Sequence, residues 1–172
     1  MQSKTSAGLL MFRRTDEGLQ VLLAHPGGPY FQKKDEGVWT IPKGEVAEGE
    51  DLLARAKIEF EEELGIAPSG DWIELGSVKQ KGGKIVYAWA FEGDLLSDFK
   101  LKSNTFHLEW PPRSDKMQTF PEVDKVAFFS IDEARCKMNI AQTVFLDRLS
   151  EALALSKQGA AASEPRKKDG AL

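Results

Sequence analysis

Two rhythms of apolar and polar positions divide the chain. The run Ala7-Gly8-Leu9-Leu10-Met11-Phe12, inside residues 5–14, is continuous and bounded by polar residues, as in a buried strand. Asp16-Glu17-Gly18 is a turn signal, and Gln20 to Ala24 reads as the second strand of a hairpin. His25-Pro26-Gly27-Gly28-Pro29 is expected to be loop, because proline and glycine interrupt both regular structures. Val38 to Ile41 reads as a short strand stopped by Pro42, and Lys43 to Gly49 as a loop.

The rhythm then lengthens. Leu52, Leu53, Ala56, Phe60 and Leu64 recur at helical spacing, which predicts a helix over 50–64 with one apolar face. Gly65 is placed to end it in the left-handed conformation, with Ile66 folding back onto the last turn. Strands are expected again at 72–79 and 84–91, joined through Gly82-Gly83, then at 104–110 and 125–129. Helices are expected near 131–137 and 140–156. The stretch 157–172 is rich in alanine, lysine and glycine without an apolar period, so it is expected to be a disordered tail after a single domain spanning 1–156. Strands before and after a central helix, with helices at the end, describe an α+β order rather than a regular βαβ alternation.

Charge alters this picture at one place. The net charge of −4 argues against extended nucleic-acid binding but leaves room for a small phosphorylated substrate. The acids are concentrated: Glu59, Glu61, Glu62 and Glu63 fall within five residues of the predicted helix. Glu59, Glu62 and Glu63 share one face at spacings of three and four, and Glu61 points away to solvent. Each like-charged pair at such spacing costs about 0.2–0.5 kcal/mol on an exposed helix. The cluster also lies near the helix C-terminus, where the macrodipole disfavours negative charge. A solvated acidic face is the plain explanation. A hard divalent cation that offsets the repulsion, Mg²⁺ or Mn²⁺ on carboxylate oxygens, is the functional one.

The loop before the helix favours the functional explanation. The stretch Gly44 to Ile66, GEVAEGEDLLARAKIEFEEELGI, resembles the signature of the Nudix hydrolases. That pattern is a glycine, five residues, a glutamate, seven residues, Arg-Glu, an apolar residue, any residue, Glu-Glu, any residue, glycine and an apolar residue. Gly44, Glu50, Glu59, Glu62, Glu63 and Gly65 match it, with Phe60 and Ile66 at the apolar positions. The flanks Ser6 to Leu10, Trp39 to Gly44 and Glu122 to Ala134 look similar too, so the likeness covers roughly 5–150. It implies an α/β/α sandwich with a mixed sheet. It also implies a hydrolase that cleaves a phosphoanhydride bond in a dinucleoside polyphosphate or nucleoside triphosphate, with the flanks leaning toward the bacterial group near the dinucleoside polyphosphate hydrolases.

The same resemblance implies the site. Glu59, Glu62 and Glu63 would be the catalytic metal ligands, with the Gly44 carbonyl as a further ligand. Glu59 would also activate water, Glu50 would brace the loop, and Lys43 is a candidate phosphate contact. One letter departs: Ile58 stands where the family has an arginine that helps hold the glutamates. Arg55, one turn before Glu59, is within i,i+4 reach and is expected to replace it in part. The alternative that Ile58 favours is a catalytically impaired Nudix-fold nucleotide-binding or regulatory module.

Other residues carry weaker signals. Glu109 and Glu122 are candidate acids from outside the signature. His25 and His107 are expected to be structural, and Trp39, Trp89 and Phe91 to be core. Trp110 and Tyr30, beside prolines in loops, are the better candidates for holding a base. Cys136 has no partner for an internal disulfide, and no apolar stretch is long enough to span a membrane. These features set the expectation of a cytoplasmic monomer or homodimer acting on a small nucleotide.

Overall fold

The computed structural model describes residues 4–162 of the chain. Eight strands, three α-helices and one 3₁₀ turn follow in the order β1 (Thr5–Thr15), β2 (Gly18–Pro26), β3 (Lys43–Glu45), α1 (Leu52–Leu64), β4 (Ile73–Lys79), β5 (Ile85–Glu92), β6 (Thr105–Glu109), β7 (Met117–Pro121), β8 (Val123–Ser130), α2 (Ile131–Lys137), the 3₁₀ turn Ile140–Thr143 and α3 (Val144–Ala162). The main sheet runs β4-β5-β1-β2-β8, with β3 also paired to β1. β1 and β5 are parallel and the other pairs are antiparallel, so the sheet is mixed as expected.

β1 sits at the centre and buries both faces. Ala7, Leu9 and Met11 join Ala56, Phe60, Leu64 and Phe91 in the core under α1. Leu10 and Phe12 join Val21, Leu23, Phe145, Leu146 and Leu149 under α3. The two-residue period of a strand sorts its side chains into these two cores, which is why its apolar run is unbroken. The result is the α/β/α sandwich.

One edge of β1 is shared. Its first residues, Ser6 to Gly8, pair with β3, and its last, Phe12 to Thr15, pair with β2. The chain therefore splays open along β1, and Lys43–Glu45 enters as a strand where a loop is expected. Conversely, Val38–Ile41 is not a continuous strand. Trp39 and Thr40 each make a single bridge, to Met138 and Ala24, and Pro42 has no N–H with which to extend the ladder.

Two further differences concern the later elements. β6 and β7 form a separate two-stranded hairpin, and its second strand was not anticipated by the apolar pattern. α3 continues to Ala162, past the expected helix end at 156. The remainder of the expected tail, 163–172, lies outside the described residues. Among the described residues no helix is long and apolar enough to cross a membrane.

Candidate active site

Local chemistry sets both ends of α1. The Asp51 carboxylate accepts the Ala54 N–H at 2.8 Å as an N-cap. Gly65 adopts φ 75°, a left-handed conformation that suits glycine, and its N–H donates to the Glu61 carbonyl at 2.7 Å. Phe60, Ala56 and Leu64 anchor the helix on the sheet. With that face fixed, the positions of the acids follow.

Glu59 leans across to β3. A Cβ at Gly44 would overlap the Glu59 carboxylate, so only glycine lets the helix acid rest on the strand backbone. Glu63, 7% exposed, lies between α1 and the same strand, beside the Lys43 backbone N–H. Glu62 is exposed, with the Asn104 side-chain amide at 3.5 Å, and Glu61 is exposed as expected.

The electrostatics are costly. Burial pushes the Glu63 carboxyl up to about 8; Lys43 opposes this, and the charges of Glu59 and Glu122 add to it. Burial also raises the Glu59 carboxyl, followed by the charges of Glu62 and Glu122, with Arg55 opposing. The Lys43 ammonium is pushed down to about 8, first by burial and then by neighbouring Lys84, while Glu63 opposes. Like charges that resist ionising together mark a place suited to a cation.

Arg55 ties the loop to the helix. Its Nε and Nη2 donate to Glu50 Oε2 at 2.8 and 2.6 Å, and its Nη1 lies 3.6 Å from Glu59 Oε1. The other oxygen of Glu50 accepts the Ala47 N–H at 2.9 Å. The Ala47 hydrogen bond and then Arg55 hold the Glu50 carboxyl below its ordinary range. Ile58, by contrast, is 43% exposed on the outer side of the helix.

The outlying candidates separate. Glu122 stands just after β7, and its charge is felt at both Glu59 and Glu63. Glu109 instead accepts the Asp115 N–H at 3.4 Å within its own hairpin. His25 is buried between Asp124 and the Lys34 carbonyl, and His107 pairs with Thr119 across the hairpin. Trp39 and Phe91 are buried in the two cores, and Trp89 packs against the one under α1. Tyr30, 55% exposed, meets Trp110 edge to face with ring centroids 5.1 Å apart.

As the side chains stand, no three described His, Cys, Asp or Glu residues converge as a ligand set. The donor chemistry nevertheless fits a hard divalent cation. It consists of carboxylate oxygens, two of them reluctant to ionise without a counter-charge, facing a strand kept bare by Gly44. Asn104 and Glu122, which the hairpin brings to the cluster, were the parts that spacing along the chain could not supply. Asn104 carried no signal of its own, and Glu122 only its place in the flank.

Comparison with known proteins gives a consistent result. The family model described as NUDIX domain matches residues 3–149. No curated protein matches the chain. Among solved structures, an Ap4A hydrolase of C. elegans in a binary complex is similar at 22% identity and a TM-score of 0.60, covering 88% of this chain and 98% of that one. The NUDIX domain of NrtR from Shewanella oneidensis, complexed with ADP ribose, is 14% identical with a TM-score of 0.62, covering 89% and 90%. A MutT protein from Methanosarcina mazei Go1 is 18% identical with a TM-score of 0.55, covering 89% and 98%.

Proposed function

Because the chain belongs to the Nudix family, we propose that it hydrolyses a phosphoanhydride bond in a dinucleoside polyphosphate or nucleoside triphosphate, with Glu59, Glu62 and Glu63 holding Mg²⁺ or Mn²⁺ and the Gly44 carbonyl as a further ligand. The observation that carries the reading is the seating of the Glu59 carboxylate on Gly44, with Glu63 buried behind it against the same strand. When bound, the cation would neutralise charge on the phosphate oxygens and lower the pKa of the attacking water.

The chain's own residues do the rest. Gly44 leaves the space in which Glu59 sits, and the Glu50–Arg55 pair holds the loop at a fixed distance from the helix. Glu59 would take the proton of a water attacking phosphorus in line with the departing phosphate. Lys43, half-buried beside Glu63, would meet a phosphate oxygen, and an anion there would offset the burial that lowers its pKa to about 8. The name Ap4A hydrolase carried by one similar protein and the ADP ribose bound to another support a nucleotide substrate with linked phosphates.

The test is a hydrolysis screen of nucleoside triphosphates, dinucleoside polyphosphates and nucleotide sugars with Mg²⁺ and with Mn²⁺. Metal-dependent release of phosphate or a nucleotide product is expected. Ile58 favours a second reading, a nucleotide-binding module without turnover. Saturable nucleotide binding with no hydrolysis across the panel would establish that reading instead.

A further inference from the structure

The loop after β2 and the β6–β7 hairpin enclose a concavity. This cleft of about 210 Å³ is lined by Gly28, Pro29, Gln32, Phe120, Pro121 and Asp124. Its walls are built without slack. The Gly27 N–H donates to the Glu122 carbonyl at 2.9 Å, and a Cβ at Gly27 would overlap the Pro121 carbonyl. A Cβ at Gly28 would lie 2.8 Å from the Phe106 ring. Neither position has room for a side chain, so the loop backbone lies directly on the hairpin.

Buried His25 pins the assembly from below. Its Nδ1 meets Asp124 Oδ1 at 2.7 Å, and its Nε2 meets the Lys34 carbonyl at 2.6 Å. A carbonyl can only accept, so Nε2–H is the donor there. One ring thus ties the far end of the loop and the Asp124 carboxylate to β2.

The lining suits a flat, edge-polar ligand. Phe120, Pro29 and Pro121 supply apolar surface, and Gln32 supplies an amide. Asp124 has one oxygen committed to His25 and a second oxygen free of that bond. The cleft adjoins the glutamate cluster through the chain at Pro121. Glu122 directly follows Pro121, and its charge is felt at Glu59 and Glu63. One residue of extended chain spans only about 3.3 Å.

We propose that this cleft holds the nucleobase of the substrate, and that Asp124 and Gln32 select a base bearing an exocyclic amine over uracil or thymine. A carboxylate only accepts hydrogen bonds, and an exocyclic amine projects a donor from the ring edge. Uracil recesses its N–H between two carbonyls, whose lone pairs face the same oxygen. The inference rests on the nucleotide-hydrolase reading but is tested by binding, without turnover.

The experiment titrates the full chain, with Mg²⁺, against ADP, CDP and UDP by calorimetry. ADP and CDP are expected to bind about ten- to a hundredfold more tightly than UDP, the range of one hydrogen bond to a charged group. Gln32→Ala, on an exposed loop, should weaken ADP at least about fivefold and narrow its lead over UDP, with the melting temperature unchanged. Asp124→Asn replaces an acceptor with an amide that can donate, so the preference should shift toward UDP; a purely structural role would lower all three affinities alike. Equal affinity for ADP and UDP, or an unchanged ADP affinity in Gln32→Ala, overturns the proposal. If the base preference holds and no hydrolysis is found, the cleft stands and the hydrolase reading falls. Metal-dependent hydrolysis with no base preference gives the reverse.

Discussion

The segment Lys43–Gly65 and the β6–β7 hairpin with its facing loop are built on opposite principles. In the first, a rigid helix carries Glu59, Glu62 and Glu63, and the helical repeat puts them on one side. In the second, no short spacing helps. Gly27 meets Pro121, Gly28 meets Phe106, and Tyr30 meets Trp110, each across about eighty residues or more of chain. The helix holds the groups suited to phosphate chemistry, which demands fixed geometry, and the hairpin holds those suited to telling one ligand from another. Changes in the first should strike turnover; changes in the second should strike affinity and selectivity.

The sharpest test of this division is Glu62→Gln or Glu63→Gln. Each should lower kcat at least about a hundredfold, because a cation ligand contributes charge stabilisation in the transition state. Exhaustive chelation of the wild type should do the same. Near wild-type turnover in both variants would remove the two residues from the site.

Gly44→Ala comes next. The methyl group must displace the Glu59 carboxylate, and a misplaced catalytic group costs on the order of 10²-fold. The helix caps are untouched, so the melting temperature should change far less than kcat does.

Arg55→Ala should slow turnover about tenfold, short of the full effect of a misplaced group, since Gly44 still limits where Glu59 can rest. Ile58→Arg restores a guanidinium three residues along the helix and should recover part of the loss. The double variant compared with each single one separates compensation from a general defect. A silent Arg55→Ala would mean that the Glu50–Arg55 bridge does not orient Glu59.

The smallest effect is on the stability of the metal-free protein as a function of pH. The folded Glu63 carboxyl, raised to about 8, holds a proton that the unfolded chain has released, so this group's contribution falls as pH rises from about 4.5 to 8. Lys43, lowered to about 8, makes the unfolded chain the better proton binder between about 8 and 10.5, so its contribution rises there. Chelated wild type should therefore lose melting temperature toward pH 8 relative to Glu63→Gln. Parallel curves for the two proteins would show that Glu63 ionises normally.

Much of this molecule was legible along the chain wherever cause and effect lie within a few residues. The end of α1 at Gly65, its buried face and its acidic face all follow from helical geometry and capping, while its start, expected at 50, falls at Leu52 after the Asp51 cap. Glu50 bracing the loop belongs to the same local class, five residues from Arg55. β1 was legible because a strand buried on two sides must be apolar throughout.

Tertiary structure decided what depends on distant partners. Lys43–Glu45 becomes a strand only because Ser6–Gly8 offers it a free edge, and Val38–Ile41 fails to become one because only single bridges reach it. Glu122 and Asn104 arrive at the cluster because the intervening hairpin folds back on itself and joins the Glu122 N–H to the Asn104 carbonyl at 2.8 Å. The reason is physical: a helix repeats its geometry every few residues, so spacing alone places its side chains. A hairpin or a shared sheet edge acquires its neighbours only when hydrogen bonds close between segments that the sequence keeps far apart.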